Sequence, residues 1–421
     1  MTTVREAAPH PTVRTVPLRA GGGLLRHLPA DAPMAWVHEG EGLVAWGEAA
    51  RITLPAEDDP GGVARFGEAA AWLADLAARA EVHDAVDAPG TGPVAFGAFT
   101  FDPRSAGSVL VVPRVIVGSR DGRAWLTTIG DRAEAHPGEI LSRVTPMRPV
   151  GPLTWSEGAL EPKEWEAAVA TAVARIRGGA LAKAALARDT FADAERGIDA
   201  RTLLARLVRA YPGCYTFSVD GMVGATPELL VRREGDRAAS LVLAGTRPRG
   251  ETQDDDDMLA ADLLASTKDA EEHRYAVDSL REALEPLAEE VEIPDRPRLL
   301  QLANVQHLAT PARATLLPGA TTLDVVAALH PTAAVGGTPT PAAVELIREI
   351  EGMDRGRYAG PVGWIDAAGN GEWGIALRCA QITGSRARLF AGCGIVAGSD
   401  PETELAESEA KLRVMREALA D

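Results

Sequence analysis

The chain reads as an α+β protein built on antiparallel sheets, and two observations predict this. Apolar, strand-like runs joined by short Gly, Asp and Asn turns fill the first and last thirds of the chain. Helical segments fall among them without a regular βαβ alternation, which argues against a doubly wound sheet. A length of 421 residues, with 46% hydrophobic and 24% charged residues, suffices for a large core.

Taken in order, the first 20 residues read as a weakly held lead. MAWVHEGEGLVAWG (34–47) holds two short strands around a Gly-containing turn. GVARFGEAAAWLADLAARA (62–80) has the apolar spacing of a helix. VLVVPRVIVGSRDGRAWLTTI (109–129) predicts a hairpin closed at Asp121-Gly122. The proline-rich MRPVGPLTWSEGALEP (147–162) divides the chain into a variable part, 1–150, and a second part, 151–421. The first part is expected to complete the same sheets rather than fold alone.

The second part opens with a helix, PKEWEAAVATAVARIRGG, started by Pro162 and stopped at Gly178-Gly179. An apolar strand, LAKAALARDTFA, precedes a helix, DARTLLARLVRAYPG, that ends at Pro212-Gly213. TPELL (226–230) predicts a short helix, and 256–290 one long helix. GPVGWIDAAGNGEWGIALRCAQITGSRARLFAGCGI (360–395) predicts three strands with turns at AAGN and TGSR.

The net charge of −17 argues against a nucleic-acid partner, which needs a basic face. A small anionic ligand is not excluded, because a local cluster of Arg, Lys or a metal ion outweighs the global field. Cys214, Cys379 and Cys393 are far apart and form no CxxC pair, so a reduced cytoplasmic setting is expected. No apolar run reaches membrane-spanning length, and the start of the chain has no basic-then-apolar signal pattern.

Four constellations carry candidate chemistry. In AGCGIVAGSDPETELAESEAKL (391–412), Glu404, Glu407 and Lys411 fall within about 60° of one another on a helix. They are either a solvated face with an i,i+4 pair or half of a cation site. STKDAEEHRYAVDSL places Asp269 and Glu272 on one face of a second helix, so two acidic helices could share a hard divalent ion. The run DDDDM (254–258) reads instead as solvated charge. Lys183, alone among alanines and leucines, either snorkels to a rim or sits in an apolar pocket where desolvation makes it a base. Glu228 is either the first-turn acid of a helix capped by Thr226 or a held carboxylic acid that donates a proton. The glycine-bearing loops LAGTRPRG, VGGTPTP and AGCGI suit close backbone approach to a ligand, and none has the pattern of a nucleotide loop.

In order, LAKAALAR, GATPELL, LAGTRPRG, STKDAEEH, NVQHL, LHPTAAVGGTP, DRGRYAGPVGW, ALRCA and the 391–412 stretch resemble the chorismate-utilising enzymes. These include the isochorismate, salicylate, anthranilate and aminodeoxychorismate synthases. The resemblance implies the fold of anthranilate synthase component I, with layered antiparallel sheets and helices packed outside. It implies that Glu272 and Glu407 ligate Mg²⁺, while Asp269 and Glu404 hold its water shell. It further implies that Tyr358 and Arg378 grip a carboxylate of chorismate, an interaction suited to the guanidinium fork. Gly245, Thr246, Gly394 and Lys411 would line the same pocket, with His307 near the ring.

Members of that family differ in what attacks the ring. Water attack needs a base and an opposed acid, roles that fit Lys183 and Glu228. Ammonia-using members carry glutamine where Lys183 stands, and common aminodeoxychorismate synthases place a nucleophilic lysine where this chain has Ala244. Ala334 in LHPTAAVGG resembles isochorismate synthases, where salicylate synthases often have threonine. The expectation is a Mg²⁺-dependent isochorismate synthase, with salicylate synthase as the alternative. It would be a monomer, with no amidotransferase subunit and no nucleic-acid or membrane partner. Its product would feed menaquinone or siderophore synthesis.

Overall fold

A computed structural model gives the structure of the chain. It describes residues 2–5, 10–19, 23–58, 61–131, 137–141, 145–301 and 305–421, without the side chains of Pro137, Lys268 and Glu272.

Two large sheets lie face to face. Among the described residues the first has eleven strands. Its order runs Thr3–Arg5, Ala50–Leu54, Ser108–Val112, Val94–Ala98, Pro361–Asp366, Gly371–Ile375, Leu229–Glu234, Arg237–Pro248, Val305–Leu316, Ala288–Glu292. Arg298–Gln301 also pairs with Val305–Leu316. The second has thirteen, running from Leu153–Glu157 through Lys183–Ala194, Arg386–Ile395, Cys379–Thr383, Met222–Thr226 and Tyr215–Val219. It continues through Met34–His38, Glu41–Trp46, Val115–Arg120, Arg123–Gly130, Thr12–Leu18 and Glu81–Asp84. The short Gly337–Thr338 pairs beside Lys183. Strands from before residue 150 form one end of both sheets. Ordinary antiparallel ladders join them to the rest, Val94–Ala98 on Pro361–Asp366 and Met34–His38 on Tyr215–Val219.

The layer between the sheets is built on large aromatic side chains. Trp36 and Trp125 come from one sheet, and Phe96, Trp364 and Trp373 from the other; all are buried. Two of the four indole N–H groups find partners there, while Trp364 Nε1 and Trp373 Nε1 have none among the described residues. Trp36 Nε1 donates to Glu372 Oε2 at 2.7 Å, and Trp125 Nε1 to the Gly90 carbonyl at 3.2 Å. Gly118 makes room for Trp125, since a Cβ there would lie 2.1 Å from the ring. Alternate residues of the same strands are buried on the outer face. Val37, Val44, Val117 and Leu126 pack with Leu203, Leu204 and Leu207 of helix Ala200–Ala210 and with Leu412 and Met415 of helix Pro401–Leu419. Helix Pro162–Arg177 starts in a capping box of Glu161 and Glu164, and Asp199 and Asp400 cap the other two.

Several sequence expectations are corrected. Among the described residues of the first 20, the expected loose lead is corrected, because Thr12–Leu18 is a full strand between two others, with Val13 buried and Thr15 Oγ1 2.8 Å from Thr127 Oγ1. The long helix over 256–290 is two, Gln253–Ala265 and Thr267–Leu284. Ser266 breaks the chain with extended backbone and caps the second helix. In the acidic run, Asp256 is buried and receives the Arg249 guanidinium and the Gly250 amide, so it is not solvated charge. TPELL forms no helix; Thr226 ends one strand and Leu229 begins the next. The 360–395 segment has four strands rather than three, because the chain leaves one sheet after Ile375 and enters the other at Cys379.

Val13→Asp should lower the unfolding free energy by roughly 3 kcal/mol or more, since it buries an unpaired charge in a paired strand. Urea midpoints measure this, and a wild-type midpoint would restore the picture of a loose lead.

Candidate active site

Both corrections near 228 and 378 concern one feature. Two neighbouring strands cross together from sheet to sheet. Met222–Thr226 continues as Leu229–Glu234, and beside it Gly371–Ile375 continues as Cys379–Thr383. The crossings are bound to each other, with Ala225 N donating to the Arg378 carbonyl at 3.2 Å and Ile375 N to the Glu228 carbonyl at 3.3 Å. Arg378 has φ 48°, a left-handed backbone unusual for a side chain of its size. The crossing places Glu228 and Arg378 at a cavity of about 210 Å³.

Enclosure by protein pushes the half-buried Glu228 carboxyl up to about 7, against the opposite pull of Arg378 and Lys183. It is thus an acid able to hold its proton near neutrality. Lys183 opens its strand, half-buried on the same cavity, and its backbone pairs with Thr338. Arg378 lines the cavity with no salt-bridge partner among the described residues. Tyr358 is buried and stacked on Phe390 at 5.0 Å between centroids, and burial pushes its phenol up.

The strand Arg237–Pro248 bulges at Gly245, where φ is +76° and the register with Val305–Leu316 slips between Ala244 and Thr246. The bulge turns Thr246 to His307, and Thr246 Oγ1 lies 2.9 Å from His307 Nδ1. Burial, then the charges of Arg378 and Lys411, lowers the His307 imidazole to about 4. Its Nε2 is buried without a hydrogen-bond partner. Ala334 and Gly394 also line the cavity.

The acidic residues separate into two groups. On helix Pro401–Leu419, Glu404 and Glu407 converge with Cys393, their ligand atoms all within 4.8 Å of one another. Lys411 Nζ stands 2.6 Å from Glu407 Oε1 and donates to the Gly392 carbonyl at 2.8 Å. Burial alone would raise the Glu407 carboxyl, but Lys411 holds it below the usual range. Burial pushes the Cys393 thiol up to about 12. Asp269 stands outside this cluster, its carboxylate 2.8 Å from Arg247 Nη2. Glu272 lies on the same helix as Asp269, and its side chain is outside the described residues.

The cavity therefore gathers Lys183, Glu228, Gly245, Thr246, Asp269, His307, Ala334, Tyr358, Arg378, Gly394, Glu404, Glu407 and Lys411. Sequence reasoning missed Arg247, Cys393 and the buried pair of Arg355 and Glu351. Arg355 lines the cavity and donates to the carbonyls of Val335 (2.9 Å) and Ala185 (2.6 Å), while Glu351 Oε1 accepts the Ala187 amide at 2.7 Å. The i,i+4 spacing of Glu351 and Arg355 was the available signal, but it looks like any surface pair.

Residues 34–420 match the family model described as chorismate binding enzyme. The chain is 40% identical over 365 residues to the salicylate biosynthesis isochorismate synthase of Pseudomonas aeruginosa, covering 79% of this chain and 76% of that one. It is 41% identical over 271 residues to isochorismate synthase DhbC of Bacillus subtilis, covering 62% and 68%. Among solved structures it is similar to MenF, the menaquinone-specific isochorismate synthase of Escherichia coli. The TM-score is 0.78 at 26% identity, over 98% of this chain and 95% of that one.

His307 should remain neutral from pH 8 down to 5, since its imidazole is held at about 4. Nitrogen-15 imidazole shifts read this directly, and a midpoint near the ordinary histidine value would mean a solvated ring.

Proposed function

Since the chain belongs to the chorismate-binding enzymes, we propose that it is an isochorismate synthase, isomerising chorismate by adding water at C2 and expelling the C4 hydroxyl. One observation carries this reading. A carboxyl pushed up to about 7, Glu228, shares a cavity with Lys183, giving an acid and a base with room for a small ring compound between strands. The names of relatives about 40% identical support the same reaction.

In this reading the Lys183 amine takes a proton from the attacking water, and the protonated Glu228 gives one to the departing hydroxyl. Water is consumed and released, so the net change is an isomerisation. Arg378 and Tyr358 hold a carboxylate, the guanidinium through paired hydrogen bonds. His307, kept neutral, presents Nε2 to the ring without adding charge. Ala244 stands beside Gly245 where a covalent amine route would need a lysine, so water remains the nucleophile.

Two converging carboxylates, one of them held ionised, fit a hard divalent cation such as Mg²⁺. Glu404 and Glu407 would hold it, with Glu272 and Asp269 from the facing helix. Bound there, it would neutralise a carboxylate of the substrate and help fix the ring. Asp269 would have to share its carboxylate with Arg247, which suits a water-shell role better than direct ligation. The protein would act as a monomer without an amidotransferase subunit, in the cytoplasm. Among the described residues no helix is long and apolar enough to cross a membrane.

Incubation of the pure protein with chorismate and Mg²⁺ should yield isochorismate as the main product on chromatography. A dominant salicylate peak would transfer the assignment to salicylate synthase, and an ammonium-dependent amine product would discard the water route. Lys183→Ala should lower kcat by roughly 10²–10⁴-fold with an unchanged melting temperature. A wild-type rate would remove Lys183 from the chemistry. Because Glu228 must carry its proton, kcat/KM should fall as pH rises through about 7. Glu228→Gln should abolish turnover at every pH, and a fully active Gln variant would exclude its acid role.

A further inference from the structure

We infer that Glu228 regains its proton through a narrow water passage behind it, in which Thr332 is a positioning residue for the water. A second cavity, of about 40 Å³, shares the walls Glu228, Leu243 and Ala334 with the larger one. At roughly 10–15 Å³ per water molecule it holds about three. Of the two spaces Lys183 lines the larger alone, whereas Glu228 lines both. The passage runs outward between the strand Arg237–Pro248 and the helix Thr267–Leu284. It is lined from Glu228 past Ser240 to Ala276 and the exposed Ser279.

The lining supplies what a file of water needs. Thr332 is part of it, and its Oγ1 is buried without a hydrogen-bond partner among the described residues. A buried hydroxyl is ordinarily paired, with protein or with water. The Thr332 carbonyl accepts the Val335 and Gly336 amides at 3.2 and 2.9 Å, which fixes the residue that carries this hydroxyl. Ser240 and Ser279 add two further hydroxyls, while Leu229, Leu241 and Leu280 keep the path narrow. The passage rests on reading Glu228 as the acid of the isomerisation. In each turnover the attacking water gives a proton to Lys183 as the C2–O bond forms. The C4–O bond breaks, and the departing hydroxyl takes the Glu228 proton and leaves as water. Both groups are then reset: Lys183 releases a proton to solvent from the larger cavity, and Glu228 takes one from solvent along the file. Protons balance and nothing is oxidised or reduced. A ring seated on the Lys183 side of Glu228 leaves this rear path open.

The test measures kcat and KM of the full-length protein with chorismate and Mg²⁺, in ordinary and in heavy water. Thr332→Val keeps the side-chain shape and removes the hydroxyl. It should lower kcat by roughly five- to tenfold, the weight of one lost hydrogen bond. KM should stay unchanged, and the solvent isotope effect on kcat should rise above that of wild type, because proton return has become limiting. Ala276→Leu fills the passage from the helix side, away from the larger cavity, and covers the case in which the valine variant disturbs its turn. It should slow turnover in the same way at a wild-type or higher melting temperature, as cavity filling does. Wild-type kcat and isotope effect in both variants, or slower turnover with no rise in the isotope effect, would overturn the passage and leave the proposed function standing. A wild-type protein that makes no isochorismate would sink that function, and the passage with it.

Discussion

The structure depends on one geometric constraint, the joint crossing of two hydrogen-bonded strands from one sheet to the other. Neither strand could cross alone without stranding backbone donors and acceptors in the interior. Crossing as a pair, they satisfy each other, with Ala225 bonded to Arg378 and Ile375 to Glu228. The break in both ladders leaves an interior gap beside these two residues. Elsewhere the space between the sheets is filled by Trp36, Trp364 and Trp373; here it is left open and charged. The left-handed backbone at Arg378 is the local strain that accompanies this arrangement.

Around that gap the electrostatics run against the molecule as a whole. A chain of net charge −17 concentrates Lys183, Arg378, Arg355, Arg247 and Lys411 on one cavity. Three of these are committed to structure, Lys411 through Glu407 and the Gly392 carbonyl. Arg355 ties the Lys183 strand to the turn carrying Ala334, and Arg247 holds Asp269. Burial, with Arg378 and Lys411 adding to it, keeps the His307 imidazole uncharged, while Arg378 and Lys183 only partly offset what burial does to the Glu228 carboxyl. The cavity thus holds preorganised cations beside the carboxylates of Asp269, Glu404 and Glu407 despite the acidic exterior.

Much of this was legible in the chain. The hairpins turning at Gly40 and at Asp121-Gly122 announce themselves because a tight turn with positive φ favours Gly and Asp. Helix starts at Pro162, Asp199 and Asp400 are equally local. What was not legible depends on distant partners. TPELL carries a cap-like Thr and an early Pro, yet the ladder with Gly371–Ile375 overrides that local preference. Residues Thr12–Leu18 look unremarkable until the strand Arg123–Gly130 lies beside them. The motifs located nearly all of the cavity's residues, while Arg355 and Cys393 stayed hidden because their importance lies in what they touch.

The seams between the early and late parts of the chain have a bearing on biosynthesis. Val94–Ala98 can complete its ladder only when Pro361–Asp366 has been made, more than half the chain later. At ribosomal speeds of roughly 5–20 residues per second, that edge waits on the order of tens of seconds without its mate. A nascent chain carrying such a long-lived, apolar, unsatisfied border is a natural client for chaperones, and its maturation should be sensitive to the pace of translation.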